Sequence, residues 1–314
     1  MHAIRLEEAV RELRDLRASD ESEQRLWIDV VSPGPAEESL LREDLGLHHL
    51  AVEDSVRGRQ RPKLDRYHDF LFLVVYVAGI DNESGRTTLD ELHVFVGRSW
   101  IVTVHDQKLR VLSEVVARWR KDEAAFPTTA ALSYGILDSI VDSYMPVIGH
   151  LAIHVDELEN GILSDEGSDH TPALLELRRD VASVRRMLSP LHEIIRVLLR
   201  RDAVVLEDTL EPYFQDLLDH VRRETEELDA LRDTLAASLQ AHFSVSANKL
   251  NSTLRIMASW SIILMAMAWL AGMYGMNFDF MPELHWKLGY VWALALMLAV
   301  GTGLGVYFRR RGWL

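Results

Sequence analysis

The sequence predicts an α+β membrane protein in which a soluble α/β layer domain is joined by a very long helix to two C-terminal transmembrane helices. Three observations carry that prediction. Strand-like runs are confined to residues 1–106. Between Pro212 and Gly272 there are 59 residues with neither proline nor glycine. Two uncharged apolar runs, Ile256–Met273 and Leu288–Phe308, lie at the C-terminal end of an otherwise charged chain.

Composition bounds the rest. The 314 residues suffice for a sizeable core and more than one domain. With 26% charged residues the chain is not membrane-embedded throughout. Cysteine is absent, which excludes a disulfide framework, a thiolate metal site and a cysteine nucleophile. The opening "MHAIRLEEAVRELRDL" has no apolar core, so no cleaved signal peptide is expected. The net charge is -14, unevenly spread. Residues 255–314 hold five basic and two acidic side chains, or +3, which leaves -17 on residues 1–254. An acidic portion of that size does not suit nucleic acid, whose phosphates need a basic surface. It suits cations, or plain solubility.

Taken in order, "LWIDVV" (Leu26–Val31) is a short strand stopped by the turn cluster Ser32–Pro35. Helical pieces fall around residues 37–56. "DFLFLVVYVAGID" (Asp69–Asp81) reads as a buried strand, and Glu91–Asp106 as a hairpin around Gly97-Arg98-Ser99. Strand signals then stop. Thr128–Leu163 has a helical pattern, with Pro127 near its start and Pro146 at a kink. After the polar loop Ser164–His170, Thr171-Pro172 supplies a cap and a first-turn proline for a helix reaching about Arg201. The third helix begins near Pro212, and a continuous helix over its 59 unbroken residues would span roughly 90 Å. No small core needs that length, whereas a stalk entering a bilayer does.

The two apolar runs, of 18 and 21 residues, are each long enough to cross a hydrocarbon core of roughly 30 Å. Arg255 precedes the first and Arg309–Arg311 follow the second. The positive-inside rule therefore puts both termini in the cytoplasm of a two-pass protein of the inner or plasma membrane. The expected segments are a cytoplasmic domain with a helical hairpin (1–205), a stalk helix (206–255), the first span (256–274), an external loop (275–287), the second span (288–308) and a basic tail (309–314). Gly301 and Gly305 form a G-x-x-x-G pair in mid-span, which reads as close helix packing rather than a phosphate loop.

Two spans per chain cannot enclose a polar path, so transport requires several copies around an axis, each lending one helix. At the 3.5-residue period of a supercoiled bundle, one stripe of the first span reads Asn251, Leu254, Met257/Ala258, Ser261, Met265, Ala268 and Gly272, continuing to Gly275–Asn277. It is small, soft and weakly polar, with an amide at each end and no intramembrane carboxylate. An uncharged amide at a mouth suits Mg²⁺, which sheds water reluctantly: carboxamide oxygens can accept hydrogen bonds from its coordinated waters. Asp279 and Glu283 in the loop would concentrate cations. Asn277 reads equally well as a helix C-cap.

"YGMNFDFMPELHWKLGY" (Tyr274–Tyr290), followed by a span and the tail "RRRGWL", resembles the CorA family of magnesium channels. The family's Gly-Met-Asn signature corresponds to Gly275-Met276-Asn277, and the MPEL loop (Met281–Leu284) is intact. Glu53–Val74 and Glu211–His220 also resemble family segments, so the likeness covers nearly the whole chain. The resemblance implies a homopentamer with a cytoplasmic α/β/α domain, a long stalk/pore helix lining the pore and a second helix around it. It implies Gly275, Met276 and Asn277 as the selectivity filter, Asn251 as a polar ring at the cytosolic end, Leu254 and Met257 as the apolar constriction, and Met265 and Gly272 lining the pore between. Ala268 stands where the family often has a threonine. The resemblance further implies closure by cytosolic Mg²⁺ bound between neighbouring domains, with Asp216 as the aligned carboxylate and Asp81 and Asp138 as candidate partners. Mg²⁺ is then both cargo and regulator, with Co²⁺ and Ni²⁺ as further cargo and no organic cofactor.

Two other readings stand beside this one. Related proteins with the Gly-Met-Asn signature carry Zn²⁺, although the intact MPEL loop favours magnesium. A non-conducting, membrane-anchored cation sensor would keep the architecture and leave Asn277 replaceable. The 13 histidines show no H-E-x-x-H motif and no metal-ligand spacing, and His48, His49 and His105 read as surface or packing residues. No nucleophile motif or phosphate loop stands in a credible context, so no enzyme is expected.

Overall fold

The computed structural model describes residues 25–164, 169–199, 208–276, 281–282 and 286–314. They fall into two compact units, one of residues up to Leu163 with Asp169–Ala237, the other containing Ser238–Leu314.

The first unit is built on a five-stranded mixed sheet. β1 (Leu26–Val31) is followed by α1 (Pro35–Ser39), which runs on as a π-helical turn (Leu40–Asp44), and by α2 (His49–Arg57). Then come β2 (Lys63–Arg66), β3 (Leu71–Ile80), β4 (Thr87–Val96) and β5 (Trp100–His105). The sheet order is β1-β5-β4-β3-β2; β1 runs parallel to β5 and all other pairs are antiparallel. The expected strand over Asp69–Asp81 and the hairpin around Gly97–Ser99 are present, as is β1 at its expected bounds. β2 is an addition: "KLDR" has no apolar alternation to mark it.

β3 is a continuous apolar run because helices cover both sides of the sheet. Phe72, Val74 and Tyr76 join Phe95, Ile28 and Val30 under Leu41, Leu45, Ala51 and Val52 of the α1–α2 layer. Leu71, Leu73, Val94 and Val96 point the other way, toward Ile136, Leu137, Leu198 and Phe214 of the later helices. The result is an α/β/α sandwich.

After α3 (Arg110–Lys121), the stretch expected as one kinked helix is two: α4 (Thr129–Asp142) and α5 (Tyr144–Ser164). Thr128 caps α4 by accepting from the Ala131 N–H at 3.2 Å. Pro146 has no N–H to offer the Asp142 carbonyl, which ends α4's ladder there. Ser143 fills the junction, its hydroxyl donating to the Ile140 carbonyl and accepting from the Ala78 N–H at 3.1 Å. α6 (Thr171–Leu198) tolerates Pro190 in its interior. Its cap differs from expectation: His170 is the cap residue, and Asp169 accepts from the Thr171 N–H at 3.0 Å.

α7 (Glu211–Tyr274) is one helix of 64 residues. In the first unit it presents a heptad seam. Phe214, Val221, Leu228 and Leu235 are buried, with Leu217 and Glu224 between them. Arg185 of α6 clasps Asp229 of α7 through two hydrogen bonds, of 2.7 and 3.1 Å. In the second unit α8 (Gly289–Arg310) follows. It closes on a Schellman motif: Gly312 at φ 68° donates to the Arg309 carbonyl, and Trp313 to that of Phe308 at 2.9 Å. The Trp313 and Phe308 rings stack over this turn, 5.6 Å between centroids.

Glu224 stands where the seam calls for an apolar residue. It is 7% exposed and its Oε2 has no hydrogen-bond partner. Burial, reinforced by the charge of Asp142, pushes its carboxyl up to about 8. An unfolded glutamate releases its proton near 4.5, so the native state holds this proton more tightly. The stability that Glu224 contributes is complete below about pH 4.5 and is lost as pH rises toward 8. The melting temperature of the detergent-solubilised protein should therefore fall over that window. Glu224→Gln, which fixes the neutral form, should flatten the fall; parallel curves for the two proteins would contradict the assignment.

Candidate functional site

Among the described residues three helical stretches are long and apolar enough to cross a membrane. In Thr129–Ile162 44% of the most apolar window is buried, because that stretch packs on the sheet. In Glu211–Tyr274 and Gly289–Arg310 the figures are 11% and 6%. Those two helices carry an apolar surface that no described residue covers, which is the condition of a helix facing lipid or other copies.

The second unit covers one face of α7. Ser259, Ile263 and Leu270 are buried, with Ala266 and Met267 half-buried between them. Gly301 of α8 lies over this stripe: a Cβ there would sit 3.5 Å from the Met267 sulfur and 4.0 Å from Ile263 Cγ2. Half of the expected G-x-x-x-G pair thus makes the close approach within the chain, while a Cβ on Gly305 would meet nothing within 4 Å. At about 100° per residue, Met265, Gly272, Leu254, Met257 and Asn251 all lie within about 60° of the direction opposite Ile263. All five are exposed. The expected pore stripe is therefore the face of the first span that points away from the second.

The helix ends by tightening. The Gly275 N–H donates to the carbonyls of Ala271 and Gly272, and Met276 donates to that of Met273 at 3.3 Å. Neither Gly272 nor Gly275 has the positive φ that would demand glycine, and a methyl on Gly272 would meet nothing within 4 Å. Asn277, Asp279 and Glu283 lie outside the described residues.

The three carboxylates proposed for regulation have different surroundings. Asp216, in the first turns of α7, is exposed, with His220 Nε2 at 3.8 Å. Asp138 of α4 accepts from the Tyr134 hydroxyl at 3.3 Å. Burial, followed by the charge of Asp142, raises its carboxyl above the usual range. The Tyr134 ring packs edge-on to Tyr213 and Phe214. Its hydroxyl is pushed up to about 12 by burial, then by the charges of Asp138, Asp216 and Asp142. Asp138 and Asp216 thus share one acidic neighbourhood where α4 meets α7. Asp81 stands at the β3–β4 turn, accepting from the Ser84 hydroxyl and from the N–H groups of Ser84 and Glu83. Those bonds hold its carboxyl below the usual range. Among the described residues no three His, Asp or Glu of one chain converge on a metal position.

Sequence reasoning missed Glu224 and Asp142 here. A glutamate at a seam position, between Val221 and Leu228, was the available signal.

Comparison with known proteins agrees with this architecture. The family described as "CorA-like Mg2+ transporter protein" matches residues 22–310. The putative metal ion transporter YfjQ of Bacillus subtilis is 31% identical over 288 residues, covering 91% of this chain and 89% of its own. The cobalt/magnesium transport protein CorA of Thermotoga maritima is 26% identical over 317 residues, covering 98% and 90%. The complete structure of the CorA magnesium transporter from Methanocaldococcus jannaschii superposes with a TM-score of 0.81 at 22% identity, covering 94% of each chain. The chain belongs to the CorA-like family of divalent-cation transporters, and its soluble α/β/α layers, unbroken helix and two apolar C-terminal helices are that family's fold.

Proposed function

We propose that this protein is a homopentameric channel that admits Mg²⁺, and Co²⁺ or Ni²⁺ with it, down the electrochemical gradient. The observation that carries the proposal is the bare stripe Asn251–Leu254–Met257–Met265–Gly272, turned away from α8. A helix covered on one face only by its own chain has its other faces for lipid and for further copies. The stripe's small and soft residues suit a path, and the relatives named for magnesium and cobalt transport supply the cargo.

The mechanism follows from the residues. With both termini cytoplasmic, the membrane lies across 256–274 and 288–308 and the loop 275–287 faces outside. Asp279 and Glu283 raise the local cation concentration. A ring of Asn277 carboxamides accepts hydrogen bonds from the waters of a hydrated Mg²⁺ and holds the ion without stripping it. Gly272 and Gly275 keep the mouth wide, which accounts for a glycine at 272, where a methyl would meet none of the described residues within 4 Å. Met265 offers a soft wall, and Leu254 and Met257 form a constriction that closes by excluding water. Asn251 receives the ion on the cytosolic side. An inside-negative potential contributes about 2.3 kcal/mol per charge per 100 mV.

Closure belongs to the soluble domain. Asp216 of one subunit, facing Asp138 or Asp81 of the next, leaves carboxylates that repel until Mg²⁺ bridges them. The exposure of Asp216 supports this arrangement. The bridged state is the closed one, so uptake stops when cytosolic Mg²⁺ is sufficient.

Purified protein in liposomes loaded with a Mg²⁺-sensitive dye tests the pathway. Under an inside-negative potential the wild type should admit Mg²⁺, and Asn277→Ala should slow entry at least about tenfold, or ~1.4 kcal/mol at the entrance. Equal rates would reduce Asn277 to a helix cap. Zn²⁺ entry without Mg²⁺ entry would make zinc the cargo. In the same liposomes Asp216→Asn should raise the internal Mg²⁺ needed to stop entry; an unshifted inhibition curve would remove Asp216 from the gate.

A further inference from the structure

A cleft of about 500 Å³ opens in the first unit between the β3–β4 turn and the α5–α6 hairpin. The ion pathway does not use it. Its α5 wall carries His150, His154 and Glu157, and its α6 wall carries Glu176 and Asp180. Arg86 of the turn pairs with Glu176 at 3.6 Å.

The two α5 imidazoles are one helical turn apart, with ring centroids separated by 4.3 Å. His154 Nδ1 is 2.8 Å from the His150 carbonyl oxygen. A carbonyl can only accept, so Nδ1 carries the proton and the neutral ring presents the Nε2 lone pair. This is the tautomer that a metal ligand needs, fixed through its other nitrogen by a backbone carbonyl, as metal-ligating histidines commonly are. His150 supplies an independent observation: its Nδ1 is buried and has no hydrogen-bond partner among the described residues. An ion or a water in the cleft accounts for a buried nitrogen left this way. At the closed end of the cleft, the ring of His170 sits 3.2 Å from where a Cβ of Gly161 would be, so glycine is what admits this third imidazole.

We propose that His150 and His154 anchor a site for an imidazole-preferring divalent ion, Zn²⁺, Co²⁺ or Ni²⁺, in the soluble domain. Two histidines one turn apart on a helix present their lone pairs to a common point. Nitrogen donors select these ions over Mg²⁺, which takes oxygen. The pair alone supplies two ligands, in keeping with the finding that no three groups converge as they stand. Water or a neighbouring side chain of the cleft fills the remaining positions. The site is independent of the transport reading above.

The test uses the full-length protein in detergent, freed of metal and titrated with Zn²⁺ in a large excess of Mg²⁺. Co²⁺ titration, followed by its visible absorption bands, gives a second readout. The wild type should bind saturably. His154→Ala removes an exposed side chain from a helix and leaves the fold intact, which circular dichroism checks. It should weaken binding at least about tenfold, the lower end of what loss of an outer-shell partner costs. His192→Ala, outside the cleft, should bind like the wild type. Equal affinity in wild type and His154→Ala, or no saturable binding in the presence of Mg²⁺, would overturn the proposal.

Discussion

A single unbroken helix, Glu211–Tyr274, must satisfy two environments, and the rest of the architecture is arranged around its faces. In its first half an apolar seam packs against the later helices of an α/β/α sandwich. In its second half the covered stripe is Ser259–Ile263–Leu270, and the cover is α8. Propensity makes such length feasible, since neither glycine nor proline interrupts residues 213–271. Burial sets where each half can turn. One helix side taken by α8 leaves the opposite side bare, and that bare side is where small and soft residues collect.

The soluble unit concentrates its electrostatics where α4 meets α7. Asp138 and Glu224 are both raised here, by burial first and then by the charge of Asp142, and Asp138, Asp216 and Asp142 act in the same sense on Tyr134, after burial. Glu224 holds its proton up to about pH 8 because ionising it would place an unpaired charge in a packed seam. Asp229 lies further along the same helix and is held in its ionised form by Arg185. One helix thus carries a neutral buried acid and a paired one. The difference lies in burial: Glu224 is enclosed in the seam, whereas Asp229 lies at its half-open edge and is hydrogen-bonded to Arg185.

The elements that were legible in the sequence are those whose pattern has a strong physical cause. Leu26–Val31 and the Gly97–Ser99 hairpin were marked by β-branched runs and turn residues. The long helix was marked by an absence of breakers. The exposed stripe was legible as a period, and its direction relative to α8 follows from the packing of Gly301. The β2 strand was not legible, because a four-residue polar edge strand has no alternation to show. The break at Ser143 was read as a kink at Pro146, because proline marks the lost hydrogen bond and not the residue where the chain turns. Glu224 was marked in the sequence only by its place between Val221 and Leu228, and its burial is what makes it unusual. The hydrogen bond that fixes the His154 tautomer is made within one turn of α5.

The central claim is that the first span meets other copies of the chain through the stripe opposite α8. The chain has no cysteine, so one introduced thiol is unique. Met265→Cys on the stripe and Ile263→Cys under α8 would be compared in membranes under mild oxidation. Disulfide-linked dimers from Met265→Cys, with Ile263→Cys remaining monomeric, are the predicted result. Linked dimers from Ile263→Cys and none from Met265→Cys would contradict it.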